Sequence, residues 1–334
     1  LSEQSNYIYK YFPGWEQVPL QTTSSSYDPN TAWWLAQCAS LSYENKITVA
    51  KELHRIGFEQ LTFFDTRGTQ AFLAEHPGIN GSKKIAILAF RGTEEDSVDI
   101  LTDINFVRRL FPDENILQEP SLNKSSPKQK LYTHGGFLEG VLNVWGTALT
   151  KEIKEIYASG DVNWPGYPGI SNAICQLPPD TTLYFTGHSL GGALATIAAY
   201  KAMLYRSTIQ LTALYTFGSP RAVQRPLANK INSELKGKIY RVVNYTDVVP
   251  RLPPRIPVIF NFHHVDDLIY FSQSGKRKHL SSGQQLQADI GVLLLTLCEM
   301  GIWVLTCHQY TPKTIESHQI NRYIKNLERE IDLK

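Results

Sequence analysis

The sequence is poor in the features that mark several functional classes. Four cysteines in 334 residues, at positions 38, 175, 298 and 307, are too few and too scattered for a disulfide framework. One bridge stays open, but free buried thiols are the expectation. There is no CxxC pair and no His/Cys ligand spacing, so no metal site is expected. Charge of one sign is also lacking: 33 Lys and Arg stand against 31 Asp and Glu, a net charge of +2. Nothing in that balance selects a polyanionic partner such as nucleic acid. The one short basic cluster, Lys276-Arg-Lys278, reads as a solvated loop. No repeat recurs along the chain, which removes solenoid and propeller architectures. The chain starts at Leu1, and no charged start followed by an apolar core is visible, so no signal peptide is expected. The compartment stays open between secreted and cytoplasmic.

Long uninterrupted apolar runs are missing too. The nearest approach is Ile290–Cys307, "IGVLLLTLCEMGIWVLTC", which Glu299 and Gly301 interrupt. A bilayer span needs about 20 consecutive apolar residues. The segment therefore reads as a buried or interfacial helix rather than a membrane span.

What is present alternates between strand and helix. Residues 1–30 form an N-terminal extension, aromatic and polar, with Thr22–Ser26 as a flexible joint and Asp28-Pro-Asn30 as a helix-start signal. Thr31–Tyr43 reads as an amphipathic helix and Ile47–Ile56 as a second. Leu61–Phe64 and Thr69–Ala74 flank the Arg67-Gly68 turn as an antiparallel hairpin. Lys84–Phe90 is an apolar strand of the kind buried on both faces. Gly136–Ala158 reads as a long amphipathic helix, followed by a Pro/Gly-rich loop over 161–180. Then come strand Thr182–Thr186, helix Leu190–Tyr205, strand Leu211–Phe217, helix Pro226–Leu235 and strand Lys238–Val243. Hairpin strands near Leu268–Phe271 could extend the sheet, and Thr314–Leu333 is helical. Apolar strands alternating with helices imply one α/β domain over 31–334, with a mostly parallel central sheet flanked by helices on both faces.

The chemistry is carried by "TGHSLGGALA", Thr186–Ala195. Ser189 is the centre of Gly187-x-Ser-x-Gly191 between a predicted strand and a predicted helix, the setting a nucleophile elbow requires. Small residues two before and two after the serine let the chain pass itself at a strained turn. Gly192, Ala193 and Ala195 bring the helix close to the sheet. The N–H of Leu190 lies at the helix N-terminus, where negative charge on a substrate oxygen is stabilised. A triad on such a scaffold follows the order Ser, acid, His. Asp247, just beyond strand Lys238–Val243, lies at the carboxyl end of the sheet, where open α/β folds bind ligands. For the histidine, His263 and His264 read as structural and His279 as solvated. His318, at the start of the terminal helix, leads, with His308 as runner-up. The second oxyanion donor is Thr93, at the end of the strand leading into Arg91-Gly-Thr93. Arg91 reads as an anchor of that loop through ion pairing.

Together these residues resemble the class 3 lipases, the fungal-type family of α/β-hydrolases. The matching pieces are "FDTRGTQAFLAEH", "LAFRGT", "THGGF", "TGHSLGGALA", "TFGSPRAV" and "VVNYTDVVPRLPP", in the family's order. Several ordered motifs are far more specific than one elbow. The resemblance implies Ser189 as nucleophile, Asp247 as orienting acid and Thr93 with Leu190 as oxyanion hole. The family's histidine often begins a helix with a tyrosine five residues on, which His318 and Tyr323 match. A lid is implied between Glu94 and Leu110. The implied activity is hydrolysis of lipid acyl esters through an acyl-serine, with no metal or organic cofactor. A lipid or ester is the implied partner, with transient contact at a lipid interface and no partner protein. Phospholipase A1-type cleavage and a non-catalytic lipase-like binding role are the alternatives. Two departures stand out: the acidic stretch Glu94–Leu101 after the RGT element, and the apolar insertion Ser281–Cys307.

Overall fold

β3 (Ile85–Phe90) is buried along its whole length, because its alternate side chains feed two different cores. Ile85, Ile87 and Ala89 join one cluster, and Ala86, Leu88 and Phe90 join the other. The same alternation holds across its neighbours, with Leu183 and Phe185 on one face and Tyr184 on the opposite one. A computed structural model of the chain describes residues 10–21, 26–78, 83–93, 107–111, 130–146, 169–204, 211–254, 261–265, 267–306 and 312–333.

Around β3 an eight-stranded sheet assembles in the order β1-β2-β3-β6-β7-β9-β11-β12. β1 (Gln60–Thr66) and β2 (Thr69–His76) are the expected hairpin, closed at Arg67-Gly68, where both residues have positive φ. Positive φ at both central residues suits a tight turn between twisted strands. β3, β6 (Thr182–His188), β7 (Leu211–Phe217), β9 (Ile239–Asn244) and β11 (Leu268–Phe271) run parallel. β12 (Arg277–Lys278) closes the far edge antiparallel. A small antiparallel sheet joins β4 (Arg108–Leu110), β5 (Tyr132–His134), β8 (Val223–Gln224) and β10 (Phe262–His263). The lid expected over 94–110 falls largely outside the described residues. Its last three positions are β4, paired with β5.

Helices cover both faces, as the sequence implies. α1 (Pro29–Leu41) starts at Asp28, whose carboxylate accepts the Thr31 N–H at 2.7 Å. Thr31–Leu41 is buried at every position, so the amphipathic reading is corrected. The helix lies on the sheet and is covered in turn by α9 (Ile320–Glu330) and by residues 10–20. α2 (Lys46–Arg55) is capped by Asn45. On the opposite face lie α3 (Gly135–Trp145), α4 (Ile170–Gln176), α5 (Leu190–Leu204) and α6 (Arg225–Glu234). Of the helix expected over Gly136–Ala158, α3 is the described part and closes at Gly146, whose φ is +74°, while residues 147–158 lie outside the described residues. A Cβ there would sit 2.6 Å from the Gly169 backbone, so the chain turns where two glycines cross. α7 (Ser282–Leu305) is discussed below. α8 (Lys313–Glu316) precedes a break at Ser317–Gln319, so the tail read as one helix is two.

The N-terminal segment is part of this packing. Phe12 is fully buried and sets its ring against Trp33 and Trp34. Trp34 Nε1 donates to the Val18 carbonyl at 2.9 Å, and Tyr184 Oη donates to that of Gln21. Phe12→Ala should lower the unfolding free energy by about 3–5 kcal/mol, the usual cost of emptying a buried phenyl site. Urea titrations of the two proteins measure it, and a difference under about 1 kcal/mol would contradict the packing described.

Candidate active site

Ser189 has φ +56°, the left-handed region that a serine enters only when the surroundings impose it. The surroundings do so through glycine. A Cβ at Gly187 would lie 2.3 Å from the Gly191 carbonyl, and one at Gly191 would lie 2.3 Å from the Phe90 oxygen. Only hydrogens fit, so β6 reverses into α5 within one residue. The Ser189 N–H donates to the Phe217 carbonyl at 2.9 Å, which pins the turn to the end of β7. The same crossing brings the 91–93 loop against the elbow: a Cβ at Gly92 would meet the Tyr43 hydroxyl at 2.1 Å and the His188 carbonyl at 2.9 Å.

Asp247 follows β9 and is completely buried. Its carboxylate accepts from His318 Nδ1 at 2.9 Å, from the Val249 N–H at 2.9 Å and from the Tyr323 hydroxyl. Because a carboxylate only accepts, Nδ1 of His318 carries the hydrogen, and in the neutral ring Nε2 keeps its lone pair. The pair rests on Gly218 (φ +59°), where a Cβ would approach Asp247 Oδ2 at 2.8 Å and His318 Nδ1 at 2.9 Å. Gly218 directly follows Phe217, which holds the Ser189 amide, so serine, acid and histidine converge on the ends of β6, β7 and β9. All three are at most 2 % exposed. Among the described residues neither Ser189 Oγ nor His318 Nε2 has a hydrogen-bond partner.

Further residues orient His318 and Asp247. The His188 ring lies 4.5 Å from the His318 ring, and its Nε2 donates to the His318 carbonyl at 2.6 Å. Its Nδ1 accepts from Tyr43 Oη at 2.9 Å. That pattern needs a neutral imidazole, and burial together with the nearby His318 holds the His188 pKa well below the ordinary value. Arg251 donates to the carbonyls of Asn244, Tyr245 and Asp247, and so fixes the loop that presents the carboxylate. Asn244 adds a bond from Nδ2 to the Ser317 carbonyl at 3.1 Å, tying the acid loop to the histidine loop.

Thr93 and Leu190 line one groove of about 560 Å³, shared with Arg67, Gln70, Arg91 and Glu139. Arg91 is anchored: its guanidinium donates to the Gln70 side-chain carbonyl, and its charge is among those that hold the Glu44 carboxyl below its ordinary value. His264 is structural, bonded to the Pro250 carbonyl, and His279 is exposed. His308, the alternative to His318, lies outside the described residues. Sequence reasoning missed His188, Tyr43, Gly218 and Arg251. A histidine directly before the serine was in view, but nothing local says that its ring turns toward a residue 130 positions away.

A family model described as class 3 lipase matches residues 87–256, just over half of the chain. The chain belongs to the class 3 lipase family. A secreted mono- and diacylglycerol lipase 1 of Fusarium solani is 43 % identical over 130 residues, 39 % of this chain and 34 % of that protein. The match thus spans about a third of that relative's length. The secreted mono- and diacylglycerol lipase MDL3 of Malassezia globosa is 24 % identical over 239 residues, covering 71 % of this chain and 68 % of the other. The triacylglyceride lipase of Rhizomucor miehei superposes with a TM-score of 0.48 at 22 % identity, over 74 % of this chain and 82 % of that one.

Two predictions follow from the site of this family member. Tyr323→Phe removes one donor from a buried carboxylate and should cost about 1–3 kcal/mol of stability, measured by denaturant unfolding. An unchanged midpoint would show that the hydroxyl does not serve Asp247. The second concerns acid. His188 is held neutral, and burial lowers His134 to about 4, so each gains a proton in the unfolded chain before the folded one. Their contribution is complete above about pH 6.5 and is lost as pH falls. Unfolding free energy should drop by about 1.4 kcal/mol per pH unit for each between roughly pH 6 and 4.5. Urea titrations across that window measure the slope, and His134→Gln should reduce it.

Proposed function

We propose that the protein is a serine hydrolase of lipid acyl esters, with Ser189 as nucleophile, His318 as base and acid, and Asp247 as orienting carboxylate. The observation that carries this reading is the Asp247–His318 bond, held at the strand ends beside a serine in left-handed conformation. His318 Nε2 takes the Ser189 Oγ proton as Oγ attacks the acyl carbonyl. The imidazolium that forms is stabilised by Asp247. The tetrahedral oxyanion receives the N–H groups of Leu190 and Thr93, the former reinforced by the N-terminus of α5. Nε2–H then protonates the leaving alcohol. Water, deprotonated by the same nitrogen, cleaves the acyl-serine and regenerates the site. This sequence requires no metal or organic cofactor.

Acylglycerols are the favoured substrates, in keeping with the names of the Fusarium and Malassezia relatives. A second reading, cleavage of one acyl chain from a glycerophospholipid, is supported by Arg67 and Arg91 on the groove that Thr93 and Leu190 line. A phospholipase A1-Igamma2 of Arabidopsis thaliana is 43 % identical over 81 residues, 22 % of this chain and 15 % of its own length. Parallel assays on diacylglycerol and phosphatidylcholine separate the two readings. Faster turnover of phosphatidylcholine would replace the first reading by the second.

Ser189→Ala and His318→Ala should each lower hydrolysis of a soluble short-chain ester by about 10⁴-fold or more, with thermal midpoints within a few degrees of the parent. A fluorophosphonate should label the parent and not Ser189→Ala. Full activity in folded Ser189→Ala protein would defeat the assignment, and a parent chain that resists the label would point to a binding role.

A further inference from the structure

The insertion that separates Asp247 from His318 forms α7, 24 residues long, and it does not enter either core. Its inner side is narrow. Val292 packs on Val248 and Val249, Asp289 pairs with Arg221 and Arg251, Thr296 is buried, and Glu299 accepts from the N–H and hydroxyl of Thr314. Positions 289, 292, 296 and 299 make one stripe at helical spacing, so the helix lies along the protein surface. On the opposite side Leu286, Ile290, Leu294, Leu297 and Leu305 face solvent, Leu297 at 71 % and Leu305 at 84 % exposure. The strip from Leu286 to Leu305 is about 28 Å long at 1.5 Å per residue.

The charges of α7 decide what covers that strip. Asp289 and Glu299 are its only ionised residues, and both are turned to protein partners. The exposed side between Ile290 and Leu305 therefore carries no charge, whereas the outer face of a water-exposed helix is normally charged. Among its described residues it also offers no side-chain amide or hydroxyl for the hydrogen bonds that a protein interface usually carries. Polar groups gather at one end instead. Gln284, Gln285 and Gln287 occupy the first turns, and Lys276, Lys278 and His279 stand exposed on the run that leads into them. Arg277 is engaged with Glu330. An uncharged apolar strip beside a small basic cluster matches an anionic lipid surface, whose acyl region takes the leucines and whose headgroups meet the lysines. By length and composition α7 could cross a bilayer. Its four inward positions, spread over eleven residues, hold it flat against the domain.

We infer that α7 is a membrane-docking helix that lies in the interface of an anionic lipid surface, with Lys276 and Lys278 at the headgroups. The inference deepens the reading of a lipid-ester hydrolase without requiring it, because binding can be measured in a catalytically silent protein. It also joins the interface to the site: Asp289 holds Arg251, which fixes the Asp247 loop, and Glu299 holds Thr314, four residues before His318.

The test uses the full chain carrying Ser189→Ala and flotation with vesicles of phosphatidylcholine, with and without 30 % phosphatidylserine. The protein should float with the anionic vesicles. Adding Leu294→Gln and Leu297→Gln, both on the exposed side, should weaken binding at least tenfold. Lys276→Glu with Lys278→Glu should abolish the preference for phosphatidylserine. Circular dichroism confirms folding of each variant. Vesicle binding that survives the glutamine pair would overturn the proposal. So would a lipid-free dimer, seen by sedimentation velocity, that the same pair dissociates, since the strip would then be an interface between copies. In the Ser189 background, the glutamine pair should hydrolyse a soluble short-chain ester at the parent rate. Absence of that hydrolysis in the parent would count against the assigned chemistry and leave the docking result standing.

Discussion

A buried carboxylate organises this molecule. Removing an ionised group from water is costly unless donors replace the lost hydration, and Asp247 has no contact with solvent. Its donors come from three separate stretches: Val249 from the turn after β9, His318 from the break before α9, and Tyr323 from α9 itself. The C-terminal helix must therefore dock on the sheet for the acid to be satisfied. α1, lying between that helix and the strands, is buried on every side as a result. Packing and chemistry are satisfied by one arrangement.

Glycines do the complementary work on the other side of the site. Gly187 and Gly191 let β6 and α5 pass within van der Waals limits, and Gly218 leaves room for an imidazole and a carboxylate where any side chain would intrude. The strained backbone of Ser189 is thereby held by contacts in which nothing can relax. The result is a serine and a histidine whose free atoms are preorganised and not tied to other partners among the described residues.

The parts legible in the sequence were those fixed locally. The alternation of apolar strands with helices gave the central sheet, the Arg67-Gly68 pair gave the hairpin, and the small residues around Ser189 gave the elbow. That Asp247 would meet a histidine followed from order along the chain, and the family resemblance picked His318 through its tyrosine five residues on; the structure bonds the two side chains. What escaped depends on contacts between distant segments. Burial of α1 on all sides cannot be read from its own periodicity, since the residues that cover it lie near both ends of the chain. His188 has the same difficulty, because its partners, Tyr43 and the His318 carbonyl, are 145 and 130 residues away. The end of α3 at Gly146 depended on a crossing with Gly169.

Arg251 shows how closely the apolar insertion is bound to the rest of the protein. Its guanidinium and that of Arg221 are 3 % exposed or less, and both meet the single carboxylate of Asp289 on α7. Excising the insertion to make a more soluble protein would take away the carboxylate that both buried guanidiniums meet beside the acid loop. Removing one partner of a buried ion pair costs several kcal/mol, even where backbone carbonyls still accept from the guanidiniums, as they do here. The greasy helix is thus no detachable appendage.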